Sequence, residues 1–174
     1  SVMSGAYGNA AIWSPEGVPS ATDDLIISSG HFVTMNIHGD AGSITIQQGG
    51  KLTCSNAKKL IVNGALNVHG TLEIVEGDLQ LTVPAPLVVG DSARLIWDPF
   101  DNSEMGTSIF LNGIEQLHPN SHLIIRKWYA MANVPVGKVI TGNFGNLTIS
   151  TLMNGLLFEW DQQNYFEQHR VLGT

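Results

Sequence analysis

The sequence predicts an all-β chain, a right-handed parallel β-helix solenoid with about three strands per coil of ~22 residues. Three observations predict it. Aliphatic residues recur in pairs two apart, the period of a strand that shows one face to a core. The pairs are Leu25 with Ile27, Val33 with Met35, Ile44 with Ile46, Leu52 with Cys54, Leu60 with Val62, Leu66 with Val68, Leu72 with Ile74, Leu79 with Leu81, Leu87 with Val89, and Leu95 with Trp97. Most gaps between them hold a glycine or proline, including Gly30, Gly39, Gly42, Gly49, Gly50, Gly64, Gly70, Gly77, Pro84, Pro86 and Gly90, so no helix fits between strands. Finally, every third pair returns at a near-constant interval: 22 residues from Ile44 to Leu66, 21 from Leu66 to Leu87 and 22 from Leu87 to Ile109. Units of this length cannot bury their own apolar stripe and stack on their neighbours to do so. The spacing of six from Leu60 to Leu66 to Leu72 also admits a left-handed hexapeptide helix, but neighbouring gaps of 7 and 8 break that strict period.

One domain, residues 1–174, is expected. Residues 1–24 form an N-terminal cap in which Ala11 to Trp13 and the turns at Pro15 and Pro19 cover the open strand edges of the first coil. Residues 25–97 form regular coils, and residues 98–174 form looser ones. The polar phrase Asp98 to Ser108 reads as a loop, after which pairs return at Ile109 with Leu111, Leu123 with Ile125, and Leu147 with Ile149. Residues 126–145, with Pro135, Gly137 and Gly142, read as a lateral excursion, and the aromatic segment Phe158 to Tyr165 as an outer strand. The closing phrase His169 to Thr174 looks like the opening of another strand-and-corner unit, so the chain reads as a piece of a longer protein or as a processed or recombinant product.

Composition narrows the function. Glycine is 19 of 174 residues and charged residues are 13%, about half the usual share, as expected of many turns and few salt-bridged helices. Eight Lys and Arg against fifteen Asp and Glu leave a charge of −7, which argues against a phosphate-neutralising surface and hence against nucleic acid as a partner. Neither an apolar span nor a signal-peptide pattern is present, so no membrane insertion is expected. Cys54 is the single cysteine; it shares a face with Leu52 and is expected to be a buried, inert thiol.

The phrase Trp13-Ser14-Pro15-Glu16-Gly17-Val18-Pro19, then Asp23-Asp24-Leu25-Ile26-Ile27, then Ser43-Ile44-Thr45-Ile46 with Gly49-Gly50-Lys51-Leu52-Thr53, resembles the parallel β-helix modules of large secreted bacterial surface proteins. The resemblance covers roughly residues 10 to 90. It implies an extracellular or bacterial cell-surface location and an often repeated module, commonly of unassigned activity or attached to adhesins and polysaccharide-degrading proteins. It carries over no catalytic residue.

The motifs themselves are sparse. His118 and His122 have the i, i+4 spacing of a helical metal pair, but Pro119, Asn120 and Ser121 between them favour a turn, so no metal or other cofactor is expected there. His31, His38 and His69 adjoin glycines and fit exposed corners. Asp98, Asp101 and Glu104 offer hard oxygen ligands suited to Ca²⁺, without the spacing of an EF-hand or a calcium nonapeptide, and read first as a solvated acidic loop. Glycoside hydrolysis needs two carboxyl groups flanking the bond, and enzymes on right-handed β-helices resemble one another in grouping carboxylates, or carboxylate with Lys and Arg, along one groove. The coils hold only Asp40, Glu73, Glu76, Asp78 and Asp91, and Glu76 and Asp78 flank Gly77 as a solvated turn would. No nucleophile elbow, zinc-protease or phosphate-loop motif is present, so no catalytic residue is assigned. Asn146-Leu147-Thr148 fits the glycosylation pattern but sits in a strand period. Flat aromatics stack on sugar faces, which makes Trp128, Tyr129 and Trp160 candidate ligand-binding residues, with Arg126, which adjoins Trp128 together with Lys127, for an acidic glycan; packing in the core or a cap is the alternative for the two tryptophans, and solvation of an edge for the two cations. Trp97 shares a face with Leu95 and reads as core.

The expected function is a non-catalytic extracellular structural or adhesive module that binds polysaccharide or a cell-surface glycan and adjoins other domains of a larger protein. The alternative is a fragment of a polysaccharide lyase or glycoside hydrolase. Two substitutions follow from the pattern: Leu66→Asp should unfold or aggregate the chain, and Lys51→Glu should be tolerated because Leu52 takes the inward position.

Overall fold

A computed structural model describes residues 1–55, 57–75, 78–81, 87–98, 114–126 and 146–149. Their strands, in chain order, are β1 (Gly5–Ala6), β2 (Asp24–Ile27), β3 (Phe32–Thr34), β4 (Gly39–Ala41), β5 (Ser43–Ile46), β6 (Lys51–Ser55), β7 (Lys59–Val62) and β8 (Leu66–Val68). They continue with β9 (Thr71–Val75), β10 (Asp78–Leu81), β11 (Leu87–Val89), β12 (Arg94–Asp98), β13 (Ile114–Leu117), β14 (His122–Ile125) and β15 (Asn146–Ile149). The one helical element among the described residues is a 3₁₀ turn, Ala10–Ile12, so the described part of the chain is all-β.

The described strands form three sheets, with strand orders β2-β5-β8-β11-β13, β1-β3-β6-β9-β12-β14-β15 and β4-β7-β10. Every pairing in them is parallel. From β2 to β10 the chain visits the five-stranded, the seven-stranded and the three-stranded sheet in that rotation three times. Parallel neighbours need a long crossover, usually a helix; here strands of the other two sheets supply it.

Register aligns the inward residues into ladders. Leu25, Ile44, Leu66 and Leu87 are successive partners, as are Val33, Leu52, Leu72, Leu95 and Leu123. Inward side chains of all three sheets, Ala41, Leu60 and Val62 of the smallest included, belong to one buried apolar cluster. Leu66, Val68, Leu72, Ile74 and Leu87 are wholly buried and Val89 nearly so, each contributing about 1.5 to 3 kcal/mol of apolar transfer. Cys54 is buried with them and its thiol donates to the Lys58 carbonyl.

All ten aliphatic pairs fall on strands, Met35 lying one residue beyond β3. β4 has no such pair. Tyr7 stands over it: a Cβ on Gly39 would lie 2.6 Å from the Tyr7 ring and 2.9 Å from Met35 Cε. The Tyr7 hydroxyl donates to the Asp40 carbonyl (2.7 Å), Trp13 Nε1 donates to the Tyr7 carbonyl (2.9 Å), and the two rings meet edge to face at 5.6 Å. Tyr7, Ile12 and Trp13 thus join the core at the N-terminal end, while Ala11 and Pro15 are exposed. Burial, with the Asp40 and Asp23 carboxylates nearby, pushes the Tyr7 hydroxyl well above its usual range.

A second difference concerns the resumption of strands after Trp97. Leu87 pairs with Ile114, 27 residues on, with a register shift between Leu87 and Val88, so the expected interval of 22 does not extend to this strand. Ile109 and Leu111, which were expected to carry it, lie outside the described residues. Leu123 with Ile125 and Leu147 with Ile149 do form strands, β14 and β15, on the seven-stranded sheet.

Successive corners stack closely. A Cβ on Gly70 would fall 2.2 Å from the Gly50 carbonyl oxygen and 2.4 Å from that of Gln47, both backbone atoms that no side-chain motion can clear. Gly70→Ala is therefore expected to cost about 1–3 kcal/mol in urea melts, the range of an overpacked site. An unchanged midpoint would contradict this approach of the two corners.

Candidate functional site

Strand alternation turns half of the seven-stranded sheet's residues away from the core, in two long rows. One runs Phe32, Lys51, Thr71, Arg94, His122, Asn146, and the other Thr34, Thr53, Glu73, Ile96, Ile124, Thr148. Neighbours within a row stand on adjacent strands, about 4.8 Å apart.

Glu73 is the centre of this face. It is only 8% exposed although it points away from the apolar cluster. Lys51 Nζ lies 2.5 Å from its Oε2 and Arg126 Nη1 donates to its Oε1 at 3.1 Å, while Thr53 Oγ1 donates to Oε2 at 3.4 Å. Arg126 follows β14, so its side chain reaches Glu73 across β12, where Ile96 is 3% exposed. Burial alone would raise the Glu73 carboxyl, but the Lys51 hydrogen bond, the Lys51 and Arg126 charges and the Thr53 hydroxyl together hold it below the usual carboxylate range. Both oxygens are occupied and the group stays ionised. It is thus poorly placed as a general acid, which must hold a proton near neutral pH. The arrangement ties β6, β9 and the end of β14 together. It also corrects the expectation for Lys51→Glu: that substitution sets a second carboxylate against Glu73.

Other polar groups are placed singly. His122 Nε2 lies 2.8 Å from Thr148 Oγ1, while His118, on the corner before it, has Nδ1 3.4 Å from Asp91 Oδ1 and accepts from the Asn120 amide. The two histidines therefore serve different neighbours. Asp91 also accepts from Asn120 Nδ2 and Ser92 Oγ, and the Asn120 bond leads the interactions that lower its carboxyl. His38 and His69 are exposed and His31 half-buried against Ser1 Oγ. Asp98 closes β12, whereas Asp101 and Glu104 lie outside the described residues, as does Glu76; Asp78 opens β10. Asn146 sits in β15 with its side-chain amide donating to the Ser121 carbonyl. Among the described residues no three His, Cys, Asp or Glu side chains group to hold a metal, and no helix is long and apolar enough to cross a membrane.

Of the four predicted ligand-binding residues, Arg126 joins this face, half-exposed and paired with Glu73; Trp128, Tyr129 and Trp160 lie outside the described residues. Phe32, Arg94 and the Lys51–Glu73 pair escaped sequence reasoning. Their signal was present in the intervals: residues 32, 51, 71 and 94 occupy one position in successive visits to the sheet. Comparison of the chain with protein-family models, curated proteins and solved structures finds no match in any of the three.

Proposed function

We propose that the chain is a right-handed parallel β-helix module of an extracellular or bacterial cell-surface protein, a rigid structural or adhesive element that binds polysaccharide and has no catalytic role. The observation that carries this reading is the repeated rotation through three parallel sheets with one apolar interior. An array of that kind gains length with each repeat and offers a long outer face at little cost in charge or special chemistry. Right-handedness follows from the strong preference of crossovers between parallel strands. Its partners are a surface glycan or polysaccharide and the neighbouring domains of a larger protein; the −7 charge disfavours nucleic acid.

A glycan array tests the adhesive role. Binding is expected for the intact chain and should be lost in Trp128→Ala or Trp160→Ala with the circular dichroism spectrum unchanged. No binding on any glycan would leave the structural role alone.

A second reading, a polysaccharide lyase or glycoside hydrolase fragment, has one observation in its favour: Glu73, Lys51 and Arg126 bring a carboxylate and two cations together on one sheet face. The ionised, doubly paired state of Glu73 weighs against it. Turnover of acidic polysaccharides, with or without Ca²⁺, that Glu73→Gln abolishes would establish this second reading in place of the first.

A further inference from the structure

We propose that the outer face of the seven-stranded sheet binds an acidic polysaccharide laid across the strands along the row Phe32, Lys51, Thr71, Arg94, His122, with Arg94 as the partner of its carboxylates. This inference rests on the polysaccharide-binding reading above and names the substrate class and the surface.

The row has the parts such a ligand needs. Arg94 is exposed and forms no ion pair among the described residues, whereas Lys51 and Arg126 both pair with Glu73. A guanidinium presents a planar fork that matches a carboxylate, and Arg94, unlike Arg126, keeps that fork clear of Glu73. Two strands away, roughly 10 Å by strand spacing, Lys51 stands in the same row. Its side chain is 35% exposed and its ammonium keeps donors beyond the one directed at Glu73. Between the two cations lies the Thr71 hydroxyl, and on the far side of Arg94 lies His122, both suited to sugar hydroxyls. At the other end Phe32, 56% exposed and paired in register with Lys51, offers a flat apolar face on which a sugar ring stacks.

Charge alone would suit any polyanion. The stacking residue and the interleaved hydroxyl favour a glycan, since a phosphate backbone is held chiefly by clustered cations, and this row holds few. Lys51 and Arg94 are also too widely spaced for a single anion to bridge, which points to a polymer with regularly recurring carboxylates.

The test is affinity electrophoresis and titration calorimetry of the whole chain at low salt with three probes: polygalacturonate, its fully methyl-esterified form, and single-stranded oligonucleotide. The intact protein should bind polygalacturonate, bind the ester roughly tenfold or more weakly, and bind the oligonucleotide more weakly still. Arg94→Gln should weaken polygalacturonate binding roughly tenfold while leaving the ester unaffected. Phe32→Ser should weaken both glycans, and Lys58→Gln, on a cation outside this sheet, should change neither. Both exposed positions are expected to leave the urea midpoint unchanged, which separates lost contacts from lost folding. Equal binding of acid and ester, indifference to Arg94→Gln, or an equal loss in Lys58→Gln overturns the inference while the adhesive reading survives. Oligonucleotide binding as tight as that of polygalacturonate replaces it with a general polyanion surface. Failure of both glycans to bind, here and on the array, removes the adhesive reading as well.

Discussion

Leu66→Asp is expected to abolish the cooperative unfolding transition. Leu66 is wholly buried and stands between its register partners Ile44 and Leu87, where the added carboxyl meets side chains without a hydrogen-bond donor. Burying an ionised group without a partner costs far more than the roughly 1 kcal/mol of a typical substitution, and a domain holds only about 5–15 kcal/mol in reserve. Leu66→Ala, which only empties the site, should lose about 2–5 kcal/mol and remain folded. Asn67→Asp, one residue on and facing outward, should shift stability by no more than about 0.5 kcal/mol. Urea melts followed by far-ultraviolet circular dichroism read all three. A normal transition in Leu66→Asp would mean that no continuous apolar column passes through this position.

Lys51→Glu is expected to lose about 2–3 kcal/mol. Breaking a fully buried pair costs about 3–5 kcal/mol; Lys51 is 35% exposed, which lowers that figure, and the new carboxylate facing Glu73 restores part of it. Adding Glu73→Gln should recover stability, because the repulsion disappears. Wild-type stability should also be acid-sensitive through this group. The Glu73 carboxyl is held below its ordinary value of 4.5 in the folded chain. Its contribution is therefore complete above that pH and is lost as the pH falls from about 4.5 toward the lower folded value. Asp23 and Asp91 are lowered too and act in the same direction. Glu73→Gln should flatten the acid limb of a stability profile measured between pH 2 and pH 7. An identical limb in wild type and variant would show that Glu73 is not held ionised by Lys51 and Arg126.

The strands were legible where both inward positions carried large aliphatics, because burial imposes a period of two wherever only one sheet face meets the core. β4 was not, since its inward space belongs to Tyr7, contributed from a distant stretch of chain; a residue that must be glycine leaves a corner signature in a strand. β13 was missed for a related reason. Its sequence, Ile-Glu-Gln-Leu, lacks the two-apart pair, and a register shift displaces it from the expected interval. The outer face was harder. Glu73 and Arg126 are 53 residues apart and meet, with Lys51, only because β6, β9 and β14 belong to one sheet. No local motif encodes such a meeting. It becomes visible only after register is known, as does the row that aligns Phe32 with Arg94.

Parallel register is the claim on which the ladders, the Glu73 clasp and the binding row all depend, and paired cysteines on β6 and β9 test it most directly. In a Cys54→Ala background, the double variants Lys51→Cys with Thr71→Cys and Ser55→Cys with Val75→Cys place thiols on residues that are register partners. Adjacent-strand spacing of about 4.8 Å lies within the Cα separation that a disulfide accepts. Mild oxidation of the folded protein should close both bridges, and should close neither Lys51→Cys with Val75→Cys nor Ser55→Cys with Thr71→Cys. Bridging in the second two combinations but not the first would mean that β6 and β9 run antiparallel, and would contradict the account.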